Sequence, residues 1–241
     1  MNIKAIIFDK DGTLLDFDAF WVTVCVKAIE DVRMQFGKQD VPVDKILASL
    51  GVHNGTTDIN GVLCKGTYQQ IGRIVYDTLQ SYGCSASCET VTTAVTDAFN
   101  KNADAGEIKP TCPNLAQVLT LLKKRNIRLA VVTTDNQEIT EKCLKALGIY
   151  GLFDRIYTDD GETPTKPDPY CALDFLKLTG LEKDELLMVG DTMTDMIFAK
   201  NSGISAIGIA KSDANRQLLM PHAYEVISDM ASLLDMLGSG D

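Results

Sequence analysis

The stretch IIFDKDGTLL, residues 6–15, places two aspartates directly behind an apolar run. Asp9 and Asp11 lie two positions apart, and Gly12 and Thr13 follow at once. Each negative charge at the end of a buried strand raises the energetic cost of the other, because like charges repel strongly where water is scarce. The pair has no structural benefit of its own, so this stretch predicts a binding site for something cationic.

Four short runs are continuously apolar and bounded by polar or glycine residues, which is typical of fully buried parallel strands. They cover residues 3–8, 128–133, 185–189 and 204–209. Helical patterns lie between these runs, at residues 115–125, 140–147, 170–178 and 194–201. Strands that alternate with single helices predict βαβ units, and hence an α/β fold with a twisted parallel sheet.

The segment from about residue 16 to 105 has a different pattern, with one helix after another and no convincing strand. The predicted helices are residues 17–36, 43–50, 67–82 and 88–102, with a polar, glycine-rich loop at 51–66. This segment lies between the first and second strands. It therefore predicts an inserted helical cap at residues 16–105, on a core formed by residues 1–15 and 106–241.

The composition argues against several kinds of partner. The 241 residues carry a formal net charge of −10, which disfavours nucleic acid or an anionic membrane as the main partner. No apolar stretch approaches the ~20 residues of a membrane-spanning helix, and no signal-peptide pattern follows Met1, so we expect a cytoplasmic location. The seven cysteines form no C-x-x-C pair and only two histidines are present, so we expect reduced, core-filling thiols and no zinc cluster.

Polar residues of a specific kind follow three of the predicted strands and fill one further loop. In an open α/β sheet, ligands bind beyond the carboxyl ends of the strands, so we expect these groups to converge on one crevice. The groups are residues 9–13, 133–135, 165–169 and 190–195.

This set of residues suits phosphoryl transfer through an aspartyl-phosphate. Asp9 would attack phosphorus, since a carboxylate can act as a nucleophile and divide one displacement into two. Asp11 would protonate the leaving alcohol and later deprotonate the water that cleaves the intermediate. Lys166 would supply a fixed positive charge, and Thr133 would hydrogen-bond phosphate oxygens together with backbone N–H groups.

The acidic groups also predict a Mg²⁺ site. Asp9, the carbonyl of Asp11 and Asp191 would provide oxygen ligands, with Asp195 contributing through water, because Mg²⁺ favours a few carboxylates plus water and substrate phosphate. The ion would relieve the repulsion among the carboxylates and screen the incoming phosphate. Gly12 would allow a tight turn that directs backbone amides at the anion.

Taken one at a time, these groups have ordinary structural explanations, such as an aspartate–glycine turn, a helix N-cap or an exposed lysine. Together, and in this order, they resemble the four motifs of the haloacid dehalogenase superfamily. The matching stretches are DKDGTL at 9–14, VVTT at 131–134, TKPDP at 165–169 and GDTMTD at 190–195. The resemblance covers essentially the whole chain and is greatest to phosphoglycolate-phosphatase-like members, which have a helical cap between the first two motifs.

This resemblance implies a Rossmann-like three-layer core with a parallel sheet, an all-helical cap, and Mg²⁺-dependent hydrolysis of a small phosphorylated metabolite. Phosphoglycolate is the leading single substrate on that ground. The resemblance places the nucleophile at Asp9 and the acid/base at Asp11. The remaining motif positions fall on Thr133, Lys166, Asp191 and Asp195.

One departure from the superfamily pattern lies between the two aspartates. Lys10 occupies a position where the superfamily often has an apolar or aromatic residue. The second aspartate, Asp11, favours phosphate chemistry over dehalogenation, since true haloacid dehalogenases lack it. A sugar-phosphate mutase is the main alternative, although many such mutases have Glu-Asp where this chain has Gly190 and Asp191.

Two further alternatives are weaker. A phosphonate hydrolase would need a cap lysine, and the candidates by residue type alone are Lys27, Lys38, Lys45 and Lys65. A non-catalytic binding protein would be expected to have lost motif residues. None of the four most diagnostic positions is lost, namely Asp9, Asp11, Lys166 and Asp191.

Selection of the substrate is expected to come from the cap closing over the crevice and excluding water, because the four motifs handle only the phosphoryl group. Candidate contacts are Gly12 and Thr134 near the phosphate, His53 in the polar loop at 50–61, and Arg73 for a second anionic group. The sequence leaves the identity of the substrate and the oligomeric state open.

Overall fold

The structure is a computed structural model that describes residues 2–238. Its contacts divide the chain into two compact units, here called the core unit (Met1–Asp16 and Ile108–Asp241) and the cap unit (Phe17–Glu107). Within the described residues, strands β1 to β8 are Ala5–Phe8, Val52–His53, Thr56–Thr57, Arg128–Val132, Arg155–Tyr157, Leu186–Gly190, Ser205–Ile209 and Glu225–Ile227.

Helices α1 to α11 follow the same order along the described chain. They are Thr23–Gln35, Val43–Ser49, Val62–Lys65, Tyr68–Ser81, Cys88–Asn102, Leu115–Lys124, Gln137–Ala146, Tyr170–Thr179, Met193–Ser202, Asp213–Leu219 and Ser232–Met236. A π-helical turn, Asp18–Val22, leads into α1, and short 3-10 turns cover Ala103–Ala105, Tyr150–Leu152 and Lys183–Glu185.

The core unit is built on a six-stranded sheet in the order β5-β4-β1-β6-β7-β8, and every pair in it is parallel. Strand β1 lies inside the sheet, between β4 and β6. The chain runs outward through β4 and β5 on one side of β1 and through β6, β7 and β8 on the other. The carboxyl end of β1 is therefore the topological switch point, where α/β sheets bind ligands. The predicted α/β fold class is confirmed.

Apolar residues cover both faces of this sheet, which gives the core unit three layers. On one face, Ile6 and Phe8 of β1 belong to a cluster with buried leucines of α6. On the other face, Ala5 and Ile7 belong to a cluster with Phe175 of α8 and other buried side chains. Successive residues of a strand point to opposite faces, so a strand buried on both faces must be apolar throughout.

Two strands of the sheet were not predicted, and both lie at its edges. β5 and β8 each contain three residues, and each begins with an exposed charged side chain. An edge strand needs no continuous apolar run, because part of it faces solvent. The pattern that revealed the inner strands is therefore missing from both edges.

The cap unit is helical except for one short hairpin. Between α2 and α3, where the sequence analysis expected only a loop, β2 and β3 pair in antiparallel register. Asp18 Oδ1 accepts hydrogen bonds from Thr57 N at 3.0 Å and from Thr57 Oγ1 at 2.6 Å, which fastens the hairpin to the turn before α1. The expectation that this segment contains no strand was wrong for the hairpin.

Two sequence-based expectations concern the chain as a whole. All seven cysteine thiols are free, and five are buried, as expected of core-filling residues: Cys25, Cys84, Cys112, Cys143 and Cys171. Among the described residues, no helix combines the length and the apolar character that a membrane crossing requires.

Candidate active site

The ends of three neighbouring strands bring the first predicted residues to one edge of the sheet. In the parallel register, Phe8 of β1 lies beside Val131 of β4 and Val189 of β6. The residues that follow these positions include Asp9, Thr133 and Asp191. The backbone pairing alone therefore places the predicted nucleophile, threonine and metal-binding acid together.

Three carboxylates form a compact acidic cluster, consisting of Asp9, Asp191 and Asp195. Each contributes an oxygen, and the three oxygens lie within 4.8 Å of one another. Asp9 and Asp195 are buried and Asp191 is half-buried. Several carboxylates in such proximity are the oxygen donors that Mg²⁺ prefers. The structure thus brings together three of the four predicted metal-binding residues through their side chains.

Lys166 is the cation inside this acidic cluster. Its Nζ donates hydrogen bonds to Asp9 Oδ1 at 2.6 Å and to Asp195 Oδ1 at 2.7 Å, and the residue is buried. Burial acts to lower the pKa of Lys166, but the carboxylates of Asp195 and Asp9 outweigh it and hold the pKa above its ordinary value. Lys166 is therefore a permanent positive charge in the site.

Two acids of the cluster, Asp9 and Asp191, have a raised pKa. Burial raises the pKa of Asp9 to about 7, with Lys166 opposing the shift and Asp195 and Asp11 adding to it. Burial also raises the pKa of Asp191 well above its ordinary value, helped by the charges of Asp9 and Asp195. A bound cation would reverse both shifts, because it stabilises the ionised form of each acid.

The loop that follows β1 also contacts Asp191. Thr13 Oγ1 donates a hydrogen bond to Asp191 Oδ1 at 3.1 Å. A Cβ atom on Gly12 would lie 2.0 Å from Asp191 Oδ2, and the φ of +78° at Gly12 is in the left-handed region. Only glycine fits this position. The N–H of Gly12 donates to Leu15 O at 2.8 Å, so this amide is engaged within the loop. The contact of backbone amides of this turn with an anion stays a prediction.

Asn215 is a further neighbour of Asp191 that the sequence analysis did not name. Its Nδ2 donates to the Asp191 carbonyl at 3.1 Å, and its buried Oδ1 has no hydrogen-bond partner in the described part of the chain. No local pattern marks this residue. Thr13, by contrast, belongs to the quoted D-K-D-G-T stretch and could have been assigned from it.

Asp195 is fixed by the start of α9. Its Oδ2 accepts hydrogen bonds from Thr192 N at 3.0 Å and from Thr192 Oγ1 at 2.7 Å, while its Oδ1 accepts from Lys166. A Cβ atom on Gly190 would lie 2.4 Å from Asp195 Cγ, so the strand end must be glycine for the acid to fit. Protein donors therefore contact both oxygens of Asp195, and Lys166 is one of these donors.

Asp11 is held by Lys10, which is fully buried. Lys10 Nζ lies 2.8 Å from Oδ1 and 2.8 Å from Oδ2 of Asp11, and 2.8 Å from Asp135 Oδ2. Burial acts to lower the pKa of Lys10, but Asp11 and Asp135 outweigh it and hold the pKa far above its ordinary value. Burial raises the pKa of Asp135 to about 6, with Asp11 adding to the shift and Lys10 opposing it. From the sequence, Lys10 is only a departure from the superfamily pattern, and no role was predicted for Asp135.

Thr133 and Thr134 differ in their exposure. Thr133 is buried, and its Oγ1 accepts a hydrogen bond from Asp135 N at 3.2 Å. A hydroxyl that accepts one hydrogen bond can still donate its own hydrogen, so Thr133 keeps the property predicted for it. Thr134 is exposed.

The two predicted substrate residues of the cap unit are both exposed. His53 lies in β2. Arg73 lies on α4, where its Nε is paired with Asp77 Oδ1 at 3.1 Å, one helical turn away. Their proposed contact with a substrate stays a prediction.

Comparison with known proteins agrees with this geometry. The family model of haloacid dehalogenase-like hydrolases matches residues 3–203. A candidate pyrophosphatase, PpaX, of Clostridium perfringens is 34% identical over 217 residues, covering 86% of this chain and 84% of that protein. The phosphoglycolate phosphatase of Psychrobacter arcticus is 23% identical over 239 residues, covering 98% of this chain and 96% of that protein.

The fold also matches a solved structure. The crystal structure of the candidate hydrolase YfnB from Bacillus subtilis, bound to magnesium, is 18% identical with a TM-score of 0.68, covering 99% of this chain and 100% of that chain. The four quoted motifs and the acidic cluster all lie within residues 3–203, which the family model spans. On the extent of that match and the 34% identity, the chain belongs to the haloacid dehalogenase-like hydrolase family.

Proposed function

We propose that this protein is a Mg²⁺-dependent phosphatase that hydrolyses a small phosphate monoester through an aspartyl-phosphate on Asp9. The observation that carries the proposal is the buried contact of Lys166 with Asp9 and Asp195, in a cluster whose third acid, Asp191, lies within 4.8 Å. A nucleophilic carboxylate, a fixed cation and further acids at one strand end are the groups that phosphoryl transfer needs.

The residues fit a Mg²⁺ ion. Asp9 and Asp191 would hold it with the carbonyl of Asp11, and Asp195 would reach it through water. The raised pKa of Asp9 and of Asp191 supports this fit, because burial of several acids with a single lysine leaves an excess of negative charge. When bound, Mg²⁺ would neutralise charge on the acids and on the phosphate.

The protein's own residues supply the remaining steps. A carboxylate oxygen of Asp9 forms a bond to phosphorus as the bond from phosphorus to the leaving oxygen breaks, and Asp11 gives that oxygen a proton. Asp11 then takes a proton from the water that attacks the aspartyl-phosphate, which restores Asp9. Lys166 stabilises the negative charge near Asp9 throughout, and Thr133 donates its hydroxyl hydrogen to a phosphate oxygen.

The leading substrate is phosphoglycolate, and the support for it is the relative from Psychrobacter arcticus that bears this name. A second candidate is inorganic pyrophosphate, since the relative with 34% identity is a candidate pyrophosphatase. The formal net charge of −10 favours a small molecule over nucleic acid as the partner. A cytoplasmic location stays a prediction.

A sugar-phosphate mutase is the main alternative reaction. It would use the same acids and the same lysine, and it would return the phosphoryl group to the sugar instead of to water. Gly190 next to Asp191 favours hydrolysis, since many related mutases have glutamate there. The two reactions differ in their products, and this difference decides between them.

The test is a phosphate-release screen with Mg²⁺ and with EDTA. The panel contains phosphoglycolate, sugar phosphates, nucleoside monophosphates and pyrophosphate, and the sugar-phosphate reactions are also analysed for isomers. The proposal expects Mg²⁺-dependent release of phosphate from at least one monoester. Release of phosphate from pyrophosphate alone would overturn the monoester assignment and make pyrophosphate the substrate. Formation of a sugar-phosphate isomer without release of phosphate would establish a mutase. No turnover of any compound would overturn the proposal.

A further inference from the structure

One buried cation of the core unit has no part in the mechanism just described. Lys10 is fully buried. Lysine is almost never fully buried unless it is paired, and Lys10 is paired with Asp11 and Asp135. We infer that Lys10, held in turn by Asp135, is a positioning residue that fixes the carboxylate of Asp11 for proton transfer with the leaving oxygen. The inference rests on the proposed function, because it assigns a residue that orients the acid/base of that reaction.

The contacts of Lys10 restrict the orientation of the Asp11 carboxylate. Its Nζ lies 2.8 Å from each oxygen of Asp11, so the ammonium faces the whole carboxylate and not one oxygen. The same Nζ lies 2.8 Å from Asp135 Oδ2. A lysine with two carboxylate partners has little freedom to swing away, and a carboxylate contacted at both oxygens has little freedom to rotate.

Hydrogen bonds hold both the loop that carries Lys10 and Asp11 and the segment that carries Asp135. Leu14 N and Leu15 N each donate to Lys10 O at 2.8 Å, which closes the loop that carries Asp11. On the other side, Asp135 N donates to Thr133 Oγ1 at 3.2 Å, and Asp135 O accepts from Asp159 N at 2.8 Å. A catalytic side chain is positioned accurately when the residues that support it are themselves fixed.

Stability alone does not account for a buried ammonium at this position. Replacing a buried ion pair by apolar side chains of similar volume is often neutral or stabilising, so such a pair is weak evidence for a stabilising role. A general acid, by contrast, must lie within about 2.6–3.2 Å of the oxygen that it protonates, and a misplacement of about 1 Å can cost roughly 10²-fold in rate. The positioning of Asp11 is therefore the property that Lys10 affects most.

This role has a kinetic signature. The leaving oxygen of an alkyl phosphate needs a proton as its bond to phosphorus breaks, whereas 4-nitrophenolate leaves without one. Misplacing Asp11 should therefore slow the first chemical step for an alkyl phosphate and leave it nearly unchanged for 4-nitrophenyl phosphate. A general loss of packing would slow both substrates alike.

The experiment compares Lys10→Met, Asp11→Asn and the double variant with the native protein in saturating Mg²⁺. The measured quantity is the rate of leaving-group release in the first turnover, for 4-nitrophenyl phosphate and for an alkyl phosphate that the native protein hydrolyses. Lys123→Met is the matched control, because it removes a lysine paired with Asp154 at 2.7 Å that is 30% exposed. Circular dichroism checks the folding of each variant.

We expect Asp11→Asn to lose about 10²-fold or more on the alkyl phosphate and less than about tenfold on the aryl phosphate. Lys10→Met should lose about 10–100-fold on the alkyl phosphate and less than about threefold on the aryl phosphate. The double variant should be no slower than Asp11→Asn, because Lys10 acts only through the Asp11 carboxylate, which that variant already lacks. Lys123→Met should match the native protein on both substrates.

The outcomes separate the inference from the proposed function. If Asp11→Asn slows both substrates equally, the acid/base assignment fails and the inference fails with it. If Asp11→Asn is selective but Lys10→Met slows both substrates equally, or adds its full loss in the double variant, only the inference is overturned. If Lys10→Met does not fold, Asp135→Asn decides instead: a selective loss on the alkyl phosphate supports the inference, and an equal loss on both substrates overturns it.

Discussion

Replacement of Lys166 by methionine tests whether one buried cation holds the acidic cluster together. The lysine side chain is 4% exposed, and its Nζ lies 2.6 Å from Asp9 and 2.7 Å from Asp195. Lys166→Met keeps most of the aliphatic volume and removes the charge. The three acids of the cluster would then lie within 4.8 Å of one another with no ammonium among them.

The size of the effect follows from the burial. Removing one partner of a buried ion pair costs about 3–5 kcal/mol. In a chain of this length 1 kcal/mol changes Tm by about 2–4 °C, so in EDTA at pH 8 we expect Tm to fall by about 6–20 °C. At pH 5 the fall should be smaller, because Asp9, whose pKa burial raises to about 7, is protonated there and needs no counter-charge. Saturating Mg²⁺ should recover part of the loss at pH 8 by supplying positive charge.

Thermal unfolding monitored by calorimetry measures this prediction at both pH values, with EDTA and with Mg²⁺. Lys123→Met is the control, since it breaks an ion pair whose lysine is 30% exposed and should cost no more than about 1 kcal/mol. If Lys166→Met and Lys123→Met unfold at the same temperature in EDTA at pH 8, the cluster does not depend on its buried lysine. The electrostatic description of the site would then be wrong.

Three other changes test separate parts of the site. Asp9→Asn should abolish phosphate release while the circular dichroism spectrum stays native, and measurable steady-state turnover would argue against Asp9 as the nucleophile. Gly12→Ala should weaken Mg²⁺ binding in a calorimetric titration and lower activity, because its Cβ would lie 2.0 Å from Asp191 Oδ2; native affinity would mean that the loop adapts at little cost. The metal-free protein should become less stable from pH 5 to pH 7 in denaturant titrations. Folded Asp9 keeps its proton up to a pKa of about 7, whereas the unfolded chain releases it near 3.8, so the unfolded state binds fewer protons and the free energy of unfolding falls as pH rises. A rise over this range would contradict the assigned burial of Asp9.

The parts of the site that follow from the sequence are those set by strand ends. The inner strands are continuous apolar runs, so the residues directly after them could be placed at one edge of a parallel sheet. The residues after the strands include Asp9, Thr133, Asp191 and Asp195, and the polar loop at 165–169 contains Lys166. The edge strands β5 and β8 were not predicted, because they are short and partly exposed.

Other features depend on contacts between distant parts of the chain. In the sequence, Lys10 is only a departure from the superfamily pattern. The structure places Asp135 beside it, and nothing local links the two positions. Asn215 reaches Asp191 from α10 in the same way. The sequence predicts the tight turn at Gly12, but it does not predict that the Gly12 amide donates to Leu15 O within the loop. The fold of the chain determines which groups meet in these contacts, and a local sequence pattern does not reveal them.

The formation of an aspartyl-phosphate on Asp9 can be measured directly. The reaction is quenched during turnover with a good substrate and treated with borohydride, which reduces a phosphorylated aspartate to homoserine, and the peptides are then sequenced by mass spectrometry. We predict homoserine at position 9 when substrate and Mg²⁺ are present, and unmodified Asp9 when either is omitted. Reduction at Asp11 or Asp191 instead, or no reduction at any aspartate while turnover continues, would contradict the mechanism.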